Sequence, residues 1–429
     1  MGRSCDLGDM YLRLMAQGHQ VRVCIEDFAE HGTMGGLVER VDDYRRELDW
    51  VREAGPDGGL ILFESAEHGE AQDALRRDGF FVVGGSAWGD RLENDRAFGQ
   101  AVLADVGMRT VPGRTFTDFD AAIAFIRQRP QRYAFKLNGS ETSSWRNYVG
   151  QAADGSDMIA MLQTQRERLM MVDICESRFL LMDFVEGVET GIGAYFDGER
   201  FLWPACIDFE HKRFFPGDVG ELTGEMGTLV SYQNSQRLFE LTLHKLTGQL
   251  RDGGYVGYVN LNTIINEDGI WPLELTCRFG YPGFAILDAL QPDGWGGMFE
   301  AMRTRQARFK FTPGFAVGVV LCVPPYPYRY GYAQISRGLP IVFDAELTLA
   351  QRAGLHLGEV ALQHGRLVTS GVIGYTMVAT GVGSTVAEAK REAYALARRV
   401  YVPNLRYRND IGDSFVRSGE RRLRELGYL

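Results

Sequence analysis

The chain has 429 residues, with 46 Lys and Arg against 56 Asp and Glu, a formal net charge of −10 and 45% hydrophobic residues. That balance excludes a disordered chain, and it is wrong for a nucleic-acid or anionic-membrane binder, since both partners reward clustered Lys and Arg. No window reaches the roughly 18 consecutive apolar residues of a membrane span, and the six cysteines (Cys5, Cys24, Cys175, Cys206, Cys277, Cys322) form no Cys-x-x-Cys pair, so neither a zinc site nor a disulfide framework is expected and a reducing cytoplasm is.

The first hundred residues alternate short apolar runs at 21–25, 59–63 and 80–84 with amphipathic stretches at 9–17, 42–54 and 69–78. Strands separated by helices in this way predict a wound α/β domain with a parallel sheet. The segment Gly2-Arg-Ser-Cys-Asp-Leu-Gly8 reads as the loop after a first strand. The expectation is therefore either coding sequence upstream of Met1 or a sheet one strand short, patched by another segment. Helices are predicted at 94–106 and 118–129, around a Val111-Pro-Gly113 turn. A strand at 133–137 then runs into a polar, serine-rich loop at 138–148. Antiparallel strands are predicted at 179–185, 189–196, 258–265 and 271–275, with Asp197-Gly198 and Asp268-Gly269 as turn signals. A further α/β segment begins near Ala316 and closes on a helix at 386–400. The division this suggests is an N-terminal α/β domain (1–110), a small lid (111–180), a central antiparallel unit (181–312) and a C-terminal α/β domain (313–429).

Four stretches carry residues with chemical potential. Lys136, on a strand before the small-residue loop, supplies the charge that nucleotide phosphates need, while loop amides supply donors. In Leu181-Met-Asp-Phe-Val-Glu-Gly-Val-Glu189, a strand end can pair with an adenine edge and leave a carboxylate for ribose hydroxyls. In Trp271-Pro-Leu-Glu-Leu-Thr-Cys-Arg-Phe-Gly280, Glu274, Thr276 and Arg278 share one strand face by period-two alternation. A carboxylate beside a hydroxyl suits Mg²⁺, a hard cation that shares its coordination with substrate phosphates. An arginine two residues on can steady developing negative charge. The fourth stretch, Phe209-Glu-His-Lys-Arg213 with Thr223-Gly-Glu-Met-Gly227, reads as a charged cluster attached to a glycine-containing loop over an active site. Each stretch alone also fits an ordinary solvated strand or loop.

Together, in this order, they resemble the phosphoribosylamine–glycine ligase family of the ATP-grasp superfamily along essentially the whole chain. Glu210-His-Lys-Arg213 and Thr223-Gly-Glu-Met-Gly227 are similar to the family's Asp-His-Lys-Arg and Thr-Gly-Gly-Met-Gly segments. Leu273-Glu-Leu-Thr-Cys-Arg-Phe-Gly280 is similar to its Glu-Phe-Asn-Cys-Arg-Phe-Gly strand, and Tyr407-Arg-Asn-Asp-Ile-Gly412 to a segment of its last domain. The resemblance implies an ATP-grasp fold, ATP between two antiparallel sheets, Mg²⁺ (or Mn²⁺) on its phosphates, and amide formation through an acyl phosphate with release of ADP and phosphate. It implies that Arg96, Lys136 and Arg146 neutralise phosphates, that Phe184 and Val185 present backbone groups to adenine, and that Glu189 holds the ribose. Glu274 and Thr276 would bind the metal, with Arg278 and Lys212 as catalytic groups. Glu210, His211, Arg213, Thr223, Gly224, Met226 and Gly227 would border the substrates, a small carboxylate such as glycine or another amino acid and an amine acceptor.

Three departures bear on function. Asp6 stands near where the family has an arginine for its phosphorylated substrate, the lid reads Gly139-Ser-Glu-Thr-Ser-Ser-Trp-Arg-Asn147 in place of a glycine-rich lysine loop, and Thr276 replaces a metal-binding asparagine. They leave open a ligase that joins a different amino acid and amine, and a nucleotide-binding module without turnover. A dinucleotide-binding dehydrogenase is excluded by the lack of a Gly-x-Gly-x-x-Gly fingerprint.

Overall fold

The computed structural model describes residues 1–55, 57–137, 147–170 and 179–429. Its N-terminal region holds two short parallel pairs, β1 (Arg22–Val23) with β2 (Glu39–Arg40) and β3 (Ile61–Leu62) with β4 (Val82–Val83). Residues 1–3 form the rung between them. Gly2 N–H donates to Cys24 O at 3.2 Å and Glu64 N–H to Met1 O at 3.0 Å, while the Met1 ammonium donates to Leu62 O at 2.8 Å. The helix Gly8–Ala16 follows. The stretch expected as one helix at 42–54 is a 3₁₀ turn (Tyr44–Glu47) leading into a short α-helix (Leu48–Glu53). The helix expected at 94–106 is Arg96–Asp105, and a break separates it from a preceding helix, Ala87–Asn94. Asp95 causes that break: it leaves the helical region and its side chain accepts the Phe98 N–H at 3.1 Å, which caps the second helix. Arg96 thereby becomes the first residue of a helix that lies beside β15.

A four-stranded antiparallel sheet follows, built from β5 (Gly113–Phe116), β6 (Tyr133–Leu137), β7 (Tyr148–Val149) and β8 (Phe179–Asp183) in the order β5-β8-β6-β7. Its apolar face packs on the helices Phe119–Gln128 and Ser156–Met170 as a separate small core that includes Phe116, Ile123, Phe135, Phe179 and Leu181.

The large sheet has eight strands: β9 (Val188–Phe196), β10 (Cys206–Glu210), β13 (Gly227–Ser231), β14 (Gly257–Asn266), β15 (Gly269–Thr276), β16 (Phe315–Cys322), β18 (Leu355–Leu357) and β21 (Tyr375–Gly383). Their order is β15-β14-β9-β10-β13-β16-β21-β18, antiparallel throughout. Small hairpins or pairs lie outside it: β11 (Arg213–Phe215) with β12 (Val219–Leu222), β17 (Val342–Phe343) with β22 (Val400–Tyr401), and β19 (Val360–Gln363) with β20 (Arg366–Thr369). The sheet runs straight across residues 312 and 313. One hydrophobic core joins Met10, Ile192, Leu261, Val319 and Tyr394, so N-terminal, central and C-terminal segments share a single interior. The helix Val386–Ala397 opens with a Thr385/Glu388 capping box and lies on β21 and β16.

Candidate active site

Strand alternation assembles the site. Glu189, Gly191 and Gly193 on β9 share a face with Asp208 and Glu210 on β10, Thr228 on β13, Asn260 and Asn262 on β14, and Glu274 and Thr276 on β15. The register makes them neighbours: Gly191 pairs with both Asp208 and Asn262, Asn262 with Glu274, Asn260 with Thr276, and Glu210 with Thr228. The opposite face of the same strands, with Ile192, Ala194 and Leu261, is buried in the core.

Lys212, just beyond β10, is the centre of charge. Its ammonium lies 3.0 Å from Glu210, 3.4 Å from Glu189 and 3.4 Å from Glu274. Arg96 reaches the other Glu274 oxygen at 2.9 Å, and Asn262 donates to Glu189 at 3.0 Å and Glu210 at 3.3 Å. Lys212 first, then Lys136 and Arg96, hold the Glu274 carboxyl far below the usual range, so it stays ionised. Burial pulls the Lys136 ammonium below its ordinary value, while Glu274 works to retain it. Burial also opposes the charge on Lys212, yet Glu210, Glu189 and Glu274 together hold it well above the ordinary lysine value. Three cations thus face three carboxylates.

Two cavities meet at this cluster. The first, about 500 Å³, lies between the four-stranded sheet and the large sheet and is lined by Arg96, Lys136, Phe184, Val185, Glu189 and Phe415 among others. The second, about 330 Å³, is lined by Thr223, Gly224, Thr276 and Arg278 and reaches inward to Asp208 and Glu225. Lys136, Glu210, Lys212 and Glu274 border both.

The remaining expected residues fall in three kinds of place. At the edge of the first cavity, Phe184 N–H donates to Arg132 O at 3.1 Å, and the Arg132 guanidinium stacks 3.5 Å over the Phe184 ring. Thus only the Phe184 carbonyl and the Val185 backbone are left for a base. Thr223 straps the β11–β12 hairpin, donating through both its N–H and its hydroxyl to Lys212 O at 2.8 Å. Arg213 donates within that hairpin to Gly220 O at 2.7 Å. His211 is buried and accepts Gly412 N–H at 3.3 Å; burial and the nearby Arg408 keep its pKa below the ordinary histidine value. Met226 packs in a small core with Phe214, Cys322 and Tyr326. A side chain on Gly227 would strike Gly318 O at 2.5 Å. These last three hold the wall of the site rather than its surface. Arg146 lies outside the described residues.

Sequence reasoning missed Glu93, whose carboxylate accepts Arg278 Nε at 3.0 Å and Cys277 N–H at 2.7 Å and so fixes the arginine. It also missed Asn262, Asn260, Asp208 and Glu225. Asp208 had a signal, since it sits two residues before Glu210 on the same strand face. Glu225 had one too: it occupies the second glycine of a Thr-Gly-Gly-Met-Gly pattern.

The family described as "Phosphoribosylglycinamide synthetase, ATP-grasp (A) domain" matches residues 94–284. The phosphoribosylamine–glycine ligase of Vibrio parahaemolyticus is 26% identical over 411 residues, covering 91% of this chain and 87% of its own. The crystal structure of the phosphoribosylamine–glycine ligase of Thermotoga maritima superposes with a TM-score of 0.71 at 20% identity, covering 96% of this chain and 98% of its own. A Hydrogenobacter thermophilus 2-oxoglutarate carboxylase biotin carboxylase domain, solved with MgADP and bicarbonate, superposes with a TM-score of 0.65 at 12% identity over 98% of this chain and 95% of its own. The matched segment contains the four-stranded sheet, strands β9, β10, β13, β14 and β15 of the large sheet and the cluster between them; the chain thus has an ATP-grasp fold and is similar to phosphoribosylamine–glycine ligases along most of its length.

Proposed function

We propose that this chain is an ATP-dependent carboxylate–amine ligase whose reaction centre is the shared wall of the two cavities. The observation that carries the reading is that Lys136, Lys212 and Glu274 border both spaces, so a nucleotide in one would present its terminal phosphate to a carboxylate in the other. Bound ATP would supply the phosphoryl group that converts the acid to an acyl phosphate, from which an amine displaces phosphate to leave an amide.

The chain's own residues divide the work. Arg96 and Lys136 neutralise phosphate charge, Glu189 accepts from the ribose, and the Phe184 carbonyl with the Val185 backbone meets the base. Arg278, fixed by Glu93, steadies the charge that gathers on the acyl phosphate oxygens. Lys212 holds Glu189, Glu210 and Glu274 in place and leaves a positive charge beside the incoming carboxylate.

Among the described residues no group of three or more His, Cys, Asp or Glu side chains forms a ready-made metal cage. Glu274 is nevertheless held ionised with both oxygens against cationic donors, and Thr276 adds a hydroxyl oxygen on the same face. That donor set fits Mg²⁺ that takes its remaining ligands from phosphates and water. When bound, the metal would neutralise phosphate charge.

The test is ADP release by the purified protein with Mg²⁺-ATP, a candidate acid and an amine, with product mass read in parallel. Glycine with freshly generated phosphoribosylamine is the first pair. ADP formation that requires both acid and amine, with an amide mass, is the expected result; no ADP with any pair while ATP still binds would replace the ligase reading by a nucleotide-binding module.

A further inference from the structure

The second cavity contains more carboxyl groups than the reaction needs. Beyond the balanced cluster, Asp208 (5% exposed) and Glu225 (7% exposed) line its inner end with Thr228 (2% exposed). Asp208 accepts Asn260 Nδ2 at 2.6 Å with one oxygen, while its other oxygen has no hydrogen-bond partner among the described residues. One carboxylate oxygen of Glu225 and the Thr228 hydroxyl are likewise unpartnered there. Lys212 forms its ion pairs with Glu189, Glu210 and Glu274, and Arg278 with Glu93, so neither cation is paired to these two acids.

Glycines on the strand beneath make room for the side chains around this end of the cavity. A side chain on Gly191 would sit 2.0 Å from the unpartnered Asp208 oxygen, and one on Gly193 would sit 1.8 Å from the Tyr258 hydroxyl. The Glu225 backbone is clamped by Tyr375, whose hydroxyl accepts its N–H at 3.0 Å and donates to its carbonyl. Orphaned buried carboxylates are costly unless a ligand completes them. Three unpartnered oxygen atoms on residues lining one cavity match in number the three N–H donors of a primary ammonium.

We propose that Asp208, Glu225 and Thr228 form a subsite for a substrate ammonium group that takes no part in bond formation and is additional to the α-ammonium that any amino acid carries. The substrate is thus either an amino acid with a cationic side chain, serving as the acid, or a diamine, serving as the acceptor. The proposal rests on the ligase reading for its context and deepens it by naming the substrate class. Burial, followed by the neighbouring Glu210, pushes the Asp208 carboxyl up to about 8, and the same two influences raise Glu225. A bound cation would relieve both.

Calorimetry on the whole protein with an unreactive ATP analogue and Mg²⁺ reads binding without turnover. The probes are ornithine and lysine against glycine and norleucine, and 1,4-diaminobutane against butylamine. The expected result is tighter binding of one series with the extra ammonium than of its counterparts without it, with Asp208→Asn and Glu225→Gln each weakening it by about 10- to 100-fold. Ligands without the extra ammonium should change little in those variants. The series that responds identifies the acid or the amine as the bearer of the charge. Because neither carboxylate is ion-paired and the amide variants can still accept a hydrogen bond, neither substitution should lower the melting temperature, whereas a purely structural role would make both do so. Equal binding of probes with and without the extra ammonium, or unchanged binding in both variants, would overturn the subsite. ADP release is scored separately: a protein that binds the cations as expected but never forms ADP would retain the subsite and lose the ligase reading.

Discussion

Glu274 is the residue on which the most interactions converge. It accepts from Arg96 at 2.9 Å and Lys212 at 3.4 Å, and it sits where both cavities open. Glu274→Gln keeps the shape and removes the charge that binds a metal and balances two cations. ADP release is expected to fall by about 100- to 1000-fold, the scale of losing one group that stabilises reacting charge; full activity in that variant would exclude catalysis at this position. Glu93 acts at one remove, through Arg278. Glu93→Gln should therefore lower kcat by about 10- to 100-fold through misplacement of the guanidinium, with KM for ATP unchanged. A matched rise in KM for ATP would instead place Glu93 in nucleotide binding.

At the scale of elements, β9 and the four-stranded sheet behave differently. Gly193→Ala on β9 would drive a methyl group into the hydroxyl end of Tyr258, a buried ring held between neighbours in the core. Overpacking of that kind costs about 1–3 kcal/mol, so the variant should melt several degrees below the parent. A melting temperature at or above the parent's would show that the ring moves aside freely. The four-stranded sheet has its own apolar cluster, separate from the main core. A ligand spanning the first cavity would tie the two together. Mg²⁺-ATP should therefore increase hydrogen-exchange protection of the β6 and β8 amides more than that of β16, and equal protection of all three would remove the four-stranded sheet from the nucleotide site.

The whole molecule carries several carboxyls that folding makes reluctant to ionise. Burial pushes Glu64 up to about 7, Asp90 to about 6 and Asp208 to about 8. At pH values between the ordinary carboxylate range, about 4, and these raised values, the native state binds more protons than the unfolded chain. Stability must then fall as pH rises through that window. Glu274 and Asp9, held below the ordinary range, act oppositely and lose their contribution only as pH falls well below 4. The melting temperature should be higher at pH 6 than at pH 8, and a rise from pH 6 to pH 8 would contradict this assignment of charge.

Much of this protein is legible from residue order alone, because strand alternation and turn chemistry are local. The 189–196, 258–265 and 271–275 runs fall within β9, β14 and β15, and the period-two reading of Glu274 and Thr276 puts both on the face that builds the site. The helix expected at 94–106 likewise falls on Arg96–Asp105, where Asp95 supplies a local capping signal. What residue order does not contain is which strands become neighbours. Lys212 and Glu274 are 62 positions apart, and Glu93 and Arg278 are 185 apart, yet each pair is in contact. The central and C-terminal segments expected as separate regions share one eight-stranded sheet because β16 pairs with β13 and β21 with β16, and the N-terminal segment joins their core, whereas the four-stranded sheet keeps its own. Sequence alone carried the resemblance to the family and the type of chemistry it implies, since both reside in short motifs whose residues act from a single strand or loop. The charge balance of the site was decided only by tertiary structure, because whether a carboxylate is paired or orphaned depends on what the fold brings within hydrogen-bond reach.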